Sequence, residues 1–449
     1  MKVIEWLRPG IKVKRWIFLG IFGLMLVIFG VLEIIRYRFM YTFLFNAFYV
    51  FLVASGLITL YISVAAGMKS VIALVNKGYL NVPINSKRLE TMIYEKRLLV
   101  KGPKIVAIGG GTGLSTMLRG LKYYTSNITA IVTVSDDGGG SGDLREDLGI
   151  LPPGDIRNCI LALSDTEPLM EQLLQYRFKD GRLKNQSFGN LFLAAMDGIS
   201  TNFEEAVNKM SSVLAVTGKV IPVTTENVVL KAELENGEIV IGESLIPIVS
   251  SKGENKIKYV FLDPPDAKPL PQAIDAIMEA DAVILGPGSL YTSIIPNILI
   301  DDIKSSLKNT KALKIYVSNI MTQPGETDEY SVLSHIKAIN KHAGGRIIDS
   351  VVVNDGTLDK DLEDRYSKKK SYLVKYDKDN LESEGISIIK GDFINIQNGH
   401  IRHDTEKLAS ILINNIMEEK LLYDKKKIIE YFYLSERLKG KNKEINKEK

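Results

Sequence analysis

Gly109, Gly110, Gly111, Thr112 and Gly113 interrupt the segment KIVAIGGGTGLSTMLRG at residues 104–120. Glycines so placed let backbone N–H groups approach an anion, and a helix starting just beyond adds its partial positive charge, so the chemistry they suit is phosphate binding. The pattern lacks the Gly-Lys-Ser/Thr of a Walker loop, and Leu114 or Thr116 stands where a dinucleotide fingerprint needs its third glycine. A plain tight turn would also explain it. A second set, Gly286, Pro287, Gly288 and Ser289, ends the apolar run of ADAVILGPGSLYTSIIPN and reads as another phosphate cradle.

Between the two lie acids and amides. VSDDGGGSGDLRE carries Asp136 and Asp137 at about the interval at which an acid meets a ribose in doubly wound folds. The pair could bond that ribose, hold Mg2+ beside phosphates, or cap the glycine turn. Residues 138–142 read as a mobile run, and Ser141 lacks the Gly-x-Ser-x-Gly frame of a hydrolase nucleophile. Only His335, His342, His400 and His403 exist to serve such a serine, which argues against a serine hydrolase. In LPPGDIRNCILALSD, Asp155 reads as the N-cap of a helix through Leu163, leaving Arg157 and Asn158 on the first turn to face an anion. SFGNL opens another helix at Ser187 and Gly189 and directs Asn190 toward a cleft, while IYVSNIMTQPGETD ends a strand at Asn319 and continues through Thr322, Gln323, Gly325 and Glu326.

These loops need a scaffold that gathers them. KIVAI, ITAIVTV, VLAVTG, DAVILG, LKIYVSN and IDSVVVN are short, β-rich runs alternating with helical patterns, including one over residues 114–124, which predicts an α/β fold around a mostly parallel sheet. In such an open sheet the strand carboxyl ends share one edge, so the loops converge on one crevice. Residues 228–246 differ: two alternating stretches flank Asn236-Gly237, the signal for a small antiparallel hairpin insertion.

The amino-terminal region has another character. Residues 16–35 carry one charge, Glu33, and residues 39–68 carry none, each run long enough as a helix to cross a bilayer core of about 30 Å. The pair predicts a transmembrane hairpin over residues 1–68. Lys2, Arg8, Lys12, Lys14 and Arg15 before it and Lys69 and Lys77 after it put both flanks in the cytoplasm; Arg36 and Arg38 in the turn oppose this, yet two spans keep both termini on one side. Residues 69–102 form a linker broken near Pro83 and Pro103 with a short helix over 88–99, residues 103–420 the nucleotide-binding domain, and residues 421–449 a charged, solvated tail. Residues 102–420 hold 34 Lys and Arg against 44 Asp and Glu, a net of −10 that argues against a general nucleic-acid binder. Cys159 stands alone, so the chain forms no internal disulfide, in keeping with a reducing compartment.

Taken together, AIGGGTGLSTMLRGLK, ITAIVTVSDDGGGSGDLRE, LPPGDIRNCILALSD, QYRF, GNLFLAA, GPGSLYTSIIPN, NIMTQPGETD and GHIRHD resemble the YvcK family of gluconeogenesis factors over about residues 104 to 412. The resemblance implies a Rossmann-like sheet shared with the CofD-like 2-phospholactate transferases of deazaflavin coenzyme synthesis. It implies a UDP-sugar ligand, UDP-N-acetylglucosamine above all, with roles in cell shape, envelope synthesis and growth on gluconeogenic carbon, and no firm reaction or cofactor. By this resemblance residues 109–113 are the nucleotide loop, Asp136 and Asp137 its paired acids, residues 286–289 the second cradle and Arg402 of GHIRHD a diphosphate contact, although His403 and Asp404 could simply cap the last helix. The hairpin departs from the usual soluble form. The expectation is therefore a nucleotide-sugar-binding regulator in the bacterial cell membrane, its main domain cytoplasmic, with envelope proteins and another copy of itself as candidate partners. A phospholactyl transferase using Asp136, Asp137 and Mg2+ is the alternative, and a tethered scaffold with a vestigial cleft the third.

Overall fold

The computed structural model describes residues 14–36, 43–78, 99, 102–165, 168–253, 255–397 and 399–421. The helix expected at 88–99 lies outside these apart from Leu99, and so does the tail beyond Leu421. The chain divides into two compact units, Met1–Lys96 and Arg97–Lys449.

In the first unit, helices Lys14–Arg36 and Phe43–Gly78 pack along each other. Small residues permit the approach: a Cβ on Gly56 would fall 2.8 Å from the Gly23 carbonyl oxygen, and one on Gly30 would fall 2.7 Å from a Val53 methyl. Close contact of this sort is how apolar helices associate where no water drives them together. Ser63 Oγ also donates to the Trp16 carbonyl at 2.5 Å. Trp16–Arg36 and Ala47–Gly67 are long and apolar enough to cross a membrane, and Phe18, Phe51 and Tyr61 turn outward. The second helix runs to Gly78, so the start of the expected linker is helical.

The second unit is built on twelve strands among its described residues: β1 Ile105–Gly109, β2 Ile128–Val132, β3 Lys219–Pro222, β4 Val229–Leu234, β5 Ile239–Ile241, β6 Ile257–Asp263, β7 Ala282–Leu285, β8 Leu313–Val317, β9 Ser350–Asn354, β10 Ser387–Gly391, β11 Ile394–Gln397 and β12 His400–His403. Seven form one sheet, ordered β10-β9-β8-β7-β1-β2-β3 and parallel throughout. Central strands covered by helices on both faces must be apolar at every position, and β1 and β7 are buried along their whole length. Ile105 pairs with Ile128 on one side and Ala282 on the other. The strand order therefore reverses between β1 and β7, the switch point where open α/β sheets leave a crevice.

Two elements depart from the sequence expectation. VLAVTG is not a strand: Val213 ends the helix Phe203–Val213, the chain turns, and β3 starts at Lys219. The buried stripe Phe203, Ala206, Val207 and Met210 carries helical spacing, and its packing overrides the β preference of the valines. The Asn236-Gly237 turn does join β4 to β5, with Lys231 opposite Ile241, but β6 pairs with the other side of β4 to give three strands. A further two-stranded hairpin, β11-β12, carries the GHIRHD segment.

Candidate functional site

β1 ends at Gly109 and the helix Gly111–Leu121 begins two residues later. Its N-cap, Gly110, has no side chain to offer, so the first-turn amides are left to partners from outside the helix. One side chain of the protein faces this turn: Asp155 Oδ2 would lie 2.5 Å from a Cβ placed on Gly110. The loop after β7 lies directly against this turn. A Cβ on Gly113 would sit 2.8 Å from the carbonyl carbon of Pro287 and closer still to its oxygen, and one on Gly288 would sit 3.2 Å from the Gly110 carbonyl. The two cradles meet because neither carries side chains there.

The end of β8 braces them. Asn319 Nδ2 donates to the Gly288 carbonyl at 2.8 Å and its Oδ1 accepts from the Gly288 N–H at 3.2 Å. Gln323 Nε2 donates to Ser289 Oγ at 2.7 Å. Behind the second cradle, Glu326 is buried and accepts from the Tyr291 N–H at 3.3 Å. Burial pushes its carboxyl up to about 7.

A cavity of about 470 Å3 opens over these loops, lined by Gly110, Gly111, Thr112, Gly113, Gly288, Ser289 and Asn319, and on the opposite wall by Tyr366, Lys369, His400 and Arg402. Arg402 lies on strand β12, not at a helix start: the strand alternates, so Arg402 is exposed while Ile401 and His403 turn inward. Asp404 separately N-caps the helix Thr405–Ile416, accepting from the Glu406 and Lys407 amides. The capping reading thus holds for Asp404, and Arg402 is left exposed in the cavity wall. Lys369 escaped sequence reading because SKKK looks like a solvated charge run; only the fold brings it here. A second hollow of about 600 Å3 adjoins through Met321 and Ser371.

Asp136, Asp137, Arg157, Asn158 and Asn190 do not line this cavity, and Gly109 and Gly286 lie behind it. They form a neighbouring polar cluster on the β2 side. Asp136 Oδ1 accepts from the Gly138 N–H at 3.0 Å, and Asp137 Oδ1 from the Ser244 N–H at 2.8 Å, so the paired acids serve different partners. Arg157 is buried, donating from Nη1 to Ser187 Oγ at 2.5 Å and from Nη2 to Asn158 Oδ1 at 2.6 Å. Among the described residues, Arg157 Nε and Asn190 Oδ1 are buried without a partner, the kind of orphaned atom that marks a place for a ligand or a bound water.

Two local readings change here. Residues 138–142 are not a mobile run but lead into the helix Gly139–Leu148, with Ser141 buried. Asp155 is not an N-cap: Pro153 holds that position, and Asp155 turns from the first turn of Gly154–Leu163 toward Gly111. Burial, followed by the charge of Asp136, lifts its carboxyl to about 6. Glu243, which belongs to no motif, adds a further carboxyl beside Asp136, Glu326 and Asp155. Burial, then Asp136, raises it to about 8, and it shares the Thr292 hydroxyl with Glu326. No three His, Cys, Asp or Glu side chains among the described residues converge as a metal cage, so an ion at Asp136 and Asp137 would complete its shell with water and phosphate oxygens, as Mg2+ commonly does.

Known proteins match this arrangement. The family model of 2-phospho-L-lactate transferase CofD matches residues 105–394. A protein of Clostridium acetobutylicum is 65% identical across 100% of this chain and 99% of its own length. The gluconeogenesis factor of Bacillus subtilis is 49% identical over 70% of this chain and 99% of its own. A solved structure of a Bacillus halodurans protein is 46% identical, with a TM-score of 0.67 over 69% of this chain and 99% of that one. Each of these last two relatives is matched over 99% of its own length by about 70% of this chain. The chain belongs to the CofD family, among its gluconeogenesis factors.

Proposed function

We propose that the switch-point cleft binds a nucleotide sugar, with UDP-N-acetylglucosamine the ligand the family resemblance implies, and that the bound chain acts as a regulator of envelope synthesis and of growth on gluconeogenic carbon. One observation carries this reading: two glycine-rich cradles abut over β1 and β7 in the same cavity that Arg402 and Lys369 line. Backbone amides at a helix start and two cations suit a diphosphate, and the volume falls in the ordinary range for small-molecule sites. The adjoining hollow would take the rest of the ligand, and Arg157 and Asn190, beyond Asp155, are candidates for its hydroxyls. Regulation follows if ligand binds two states of the chain with different affinity. The two apolar helices would hold the protein in the cell membrane with this domain on the cytoplasmic side. Calorimetry of UDP-N-acetylglucosamine against residues 97–449 tests the reading, and at 100 times the dissociation constant the fragment should gain about 2.7 kcal/mol of stability. Absence of heat and of any thermal shift with every UDP-sugar would end it.

A second reading, a phospholactyl transferase, is favoured by the family match and by the group of carboxyls beside the cradle. Asp136 and Asp137 would then hold Mg2+, which would supply charge neutralisation at the donor phosphates. Product formed from a nucleotide donor, a deazaflavin acceptor and Mg2+ would decide for it.

A further inference from the structure

The helix Pro168–Gln175 packs against the helix Phe188–Gly198, burying Leu174, and is tied to Gly111–Leu121 by the Arg119–Glu171 pair at 2.7 Å. Its other side is apolar and bare. Leu169 and Leu173 follow at i and i+4 on one face of the helix and are 75% and 42% exposed, and Tyr176, one residue past its end, is 48% exposed. Beyond Tyr176 the chain makes a loop closed by the Arg177–Ser187 bridge, and at its tip Lys179, Arg182, Leu183 and Lys184 are all exposed. Single exposed leucines need no explanation, but an apolar stripe running into a cluster of cations is the composition of an interfacial, membrane-facing element.

We infer that residues 168–184 form a docking surface for an anionic lipid bilayer. The charge argument is local. Residues 102–420 carry a net of −10, yet Arg177, Lys179, Arg182 and Lys184 gather here against Asp180 and Glu171, the latter paired with Arg119, so this patch is attracted where the rest of the body is repelled. The same cations disfavour a second copy as the occupant, since a two-fold interface would bring each set against its own duplicate. If the amino-terminal helices span the bilayer, they hold the patch at high effective concentration beside it. The inference rests on that reading only for its cellular meaning, because the surface itself belongs to the second unit.

Vesicle cosedimentation of residues 97–449 tests it. The fragment lacks both apolar helices, so its binding, once a cooperative melt shows it folded, reports the patch and not the anchor. It should pellet with phosphatidylcholine vesicles containing phosphatidylglycerol, not with phosphatidylcholine alone, and salt should release it. At about fivefold per cation near such a surface, Lys179→Glu, Arg182→Glu and Lys184→Glu together should weaken binding about 100-fold or more. Leu169→Ser with Leu173→Ser should weaken it at least about tenfold. Both variants change exposed residues and should melt with the parent. No binding to anionic vesicles would overturn the inference. So would binding that neither variant alters, which would belong to the basic tail, or a fragment dimer that the leucine variant dissolves.

Discussion

Replacing Gly113 by alanine probes the contact between the two cradles more directly than any change of a charged group. The new methyl carbon would lie 2.8 Å from the Pro287 carbonyl carbon and 3.1 Å from the Gly288 nitrogen, when real Cβ atoms essentially never approach within 3.0 Å. Both neighbours are backbone, and the Asn319 bonds clamp Gly288, so no side chain can swing aside. The loops must part instead. Overpacking of this kind costs about 1–3 kcal/mol, and urea unfolding of residues 97–449 should show it as a lower midpoint at unchanged slope. Parting the loops also moves the amides proposed to hold a diphosphate. A hydrogen bond to a charged group is worth about 1.5–3 kcal/mol, so the loss of one should weaken UDP-sugar binding about 10- to 100-fold. Gly198→Ala, at a helix end where a Cβ meets nothing within 4 Å, is the control and should change neither. A Gly113→Ala protein that unfolds and binds like the parent would refute the abutting geometry, while one that is destabilised yet binds normally would spare the geometry and remove the cradles from the site.

Three further outcomes follow from the same region. Arg402→Ala should weaken UDP-sugar binding about 10- to 100-fold with unchanged melting, because the side chain is exposed in the cavity wall; a drop in stability instead would make it a structural residue. Asp404→Ala removes the N-cap of Thr405–Ile416 and should lower unfolding free energy by about 1 kcal/mol, read from urea curves. The pH dependence has a definite sign. Glu243, Glu326 and Asp155 have folded values near 8, 7 and 6, raised above 4.5, 4.5 and 3.8, so the folded chain keeps protons the unfolded chain releases and stability falls as pH rises through each window. Buried His335, His342 and His403, lowered from 6.5 to about 4, give the opposite slope from about 4 to 6.5. The histidine contribution halves at pH 6.5 and fades by about pH 7.5, so the carboxyls outweigh it increasingly above pH 6.5. Melting temperature should therefore decline from pH 6.5 to 8, and Glu243→Gln should flatten the decline; an equal slope in that variant would remove Glu243 as its source.

The sheet and its glycine loops were legible because both signals are local: a short β-rich run halted by glycine needs no distant contact to be recognised. Asn236-Gly237 was legible for the same reason. The edge strand β10, half-buried and without a clear apolar run, was not, and neither was β6, whose pairing with β4 is settled across an intervening hairpin. Local signals also misled where tertiary contact decides. Asp155 has the position and chemistry of a cap, yet Pro153 holds the N-cap and the Asp155 carboxylate faces the turn at Gly110.

The site divides along similar lines. Topology correctly sends every βα loop to the carboxyl edge, but seven strands about 4.8 Å apart make that edge nearly 30 Å wide, far more than one diphosphate covers. Strand order is what selects among the loops. Those after β1, β7 and β8 come from three adjacent strands and share a cavity, whereas Asp136 and Asp137 follow β2 on the other side of β1 and Arg157 and Asn190 pack beside them. Because β7 enters the sheet only after an excursion of some 150 residues from β2, no spacing rule could have paired its loop with residues 109–113. The sequence motifs thus fall into two clusters, and Asp155 lies between them, its Oδ2 2.5 Å from where a Cβ on Gly110 would stand and its carboxyl raised first by burial and then by the charge of Asp136.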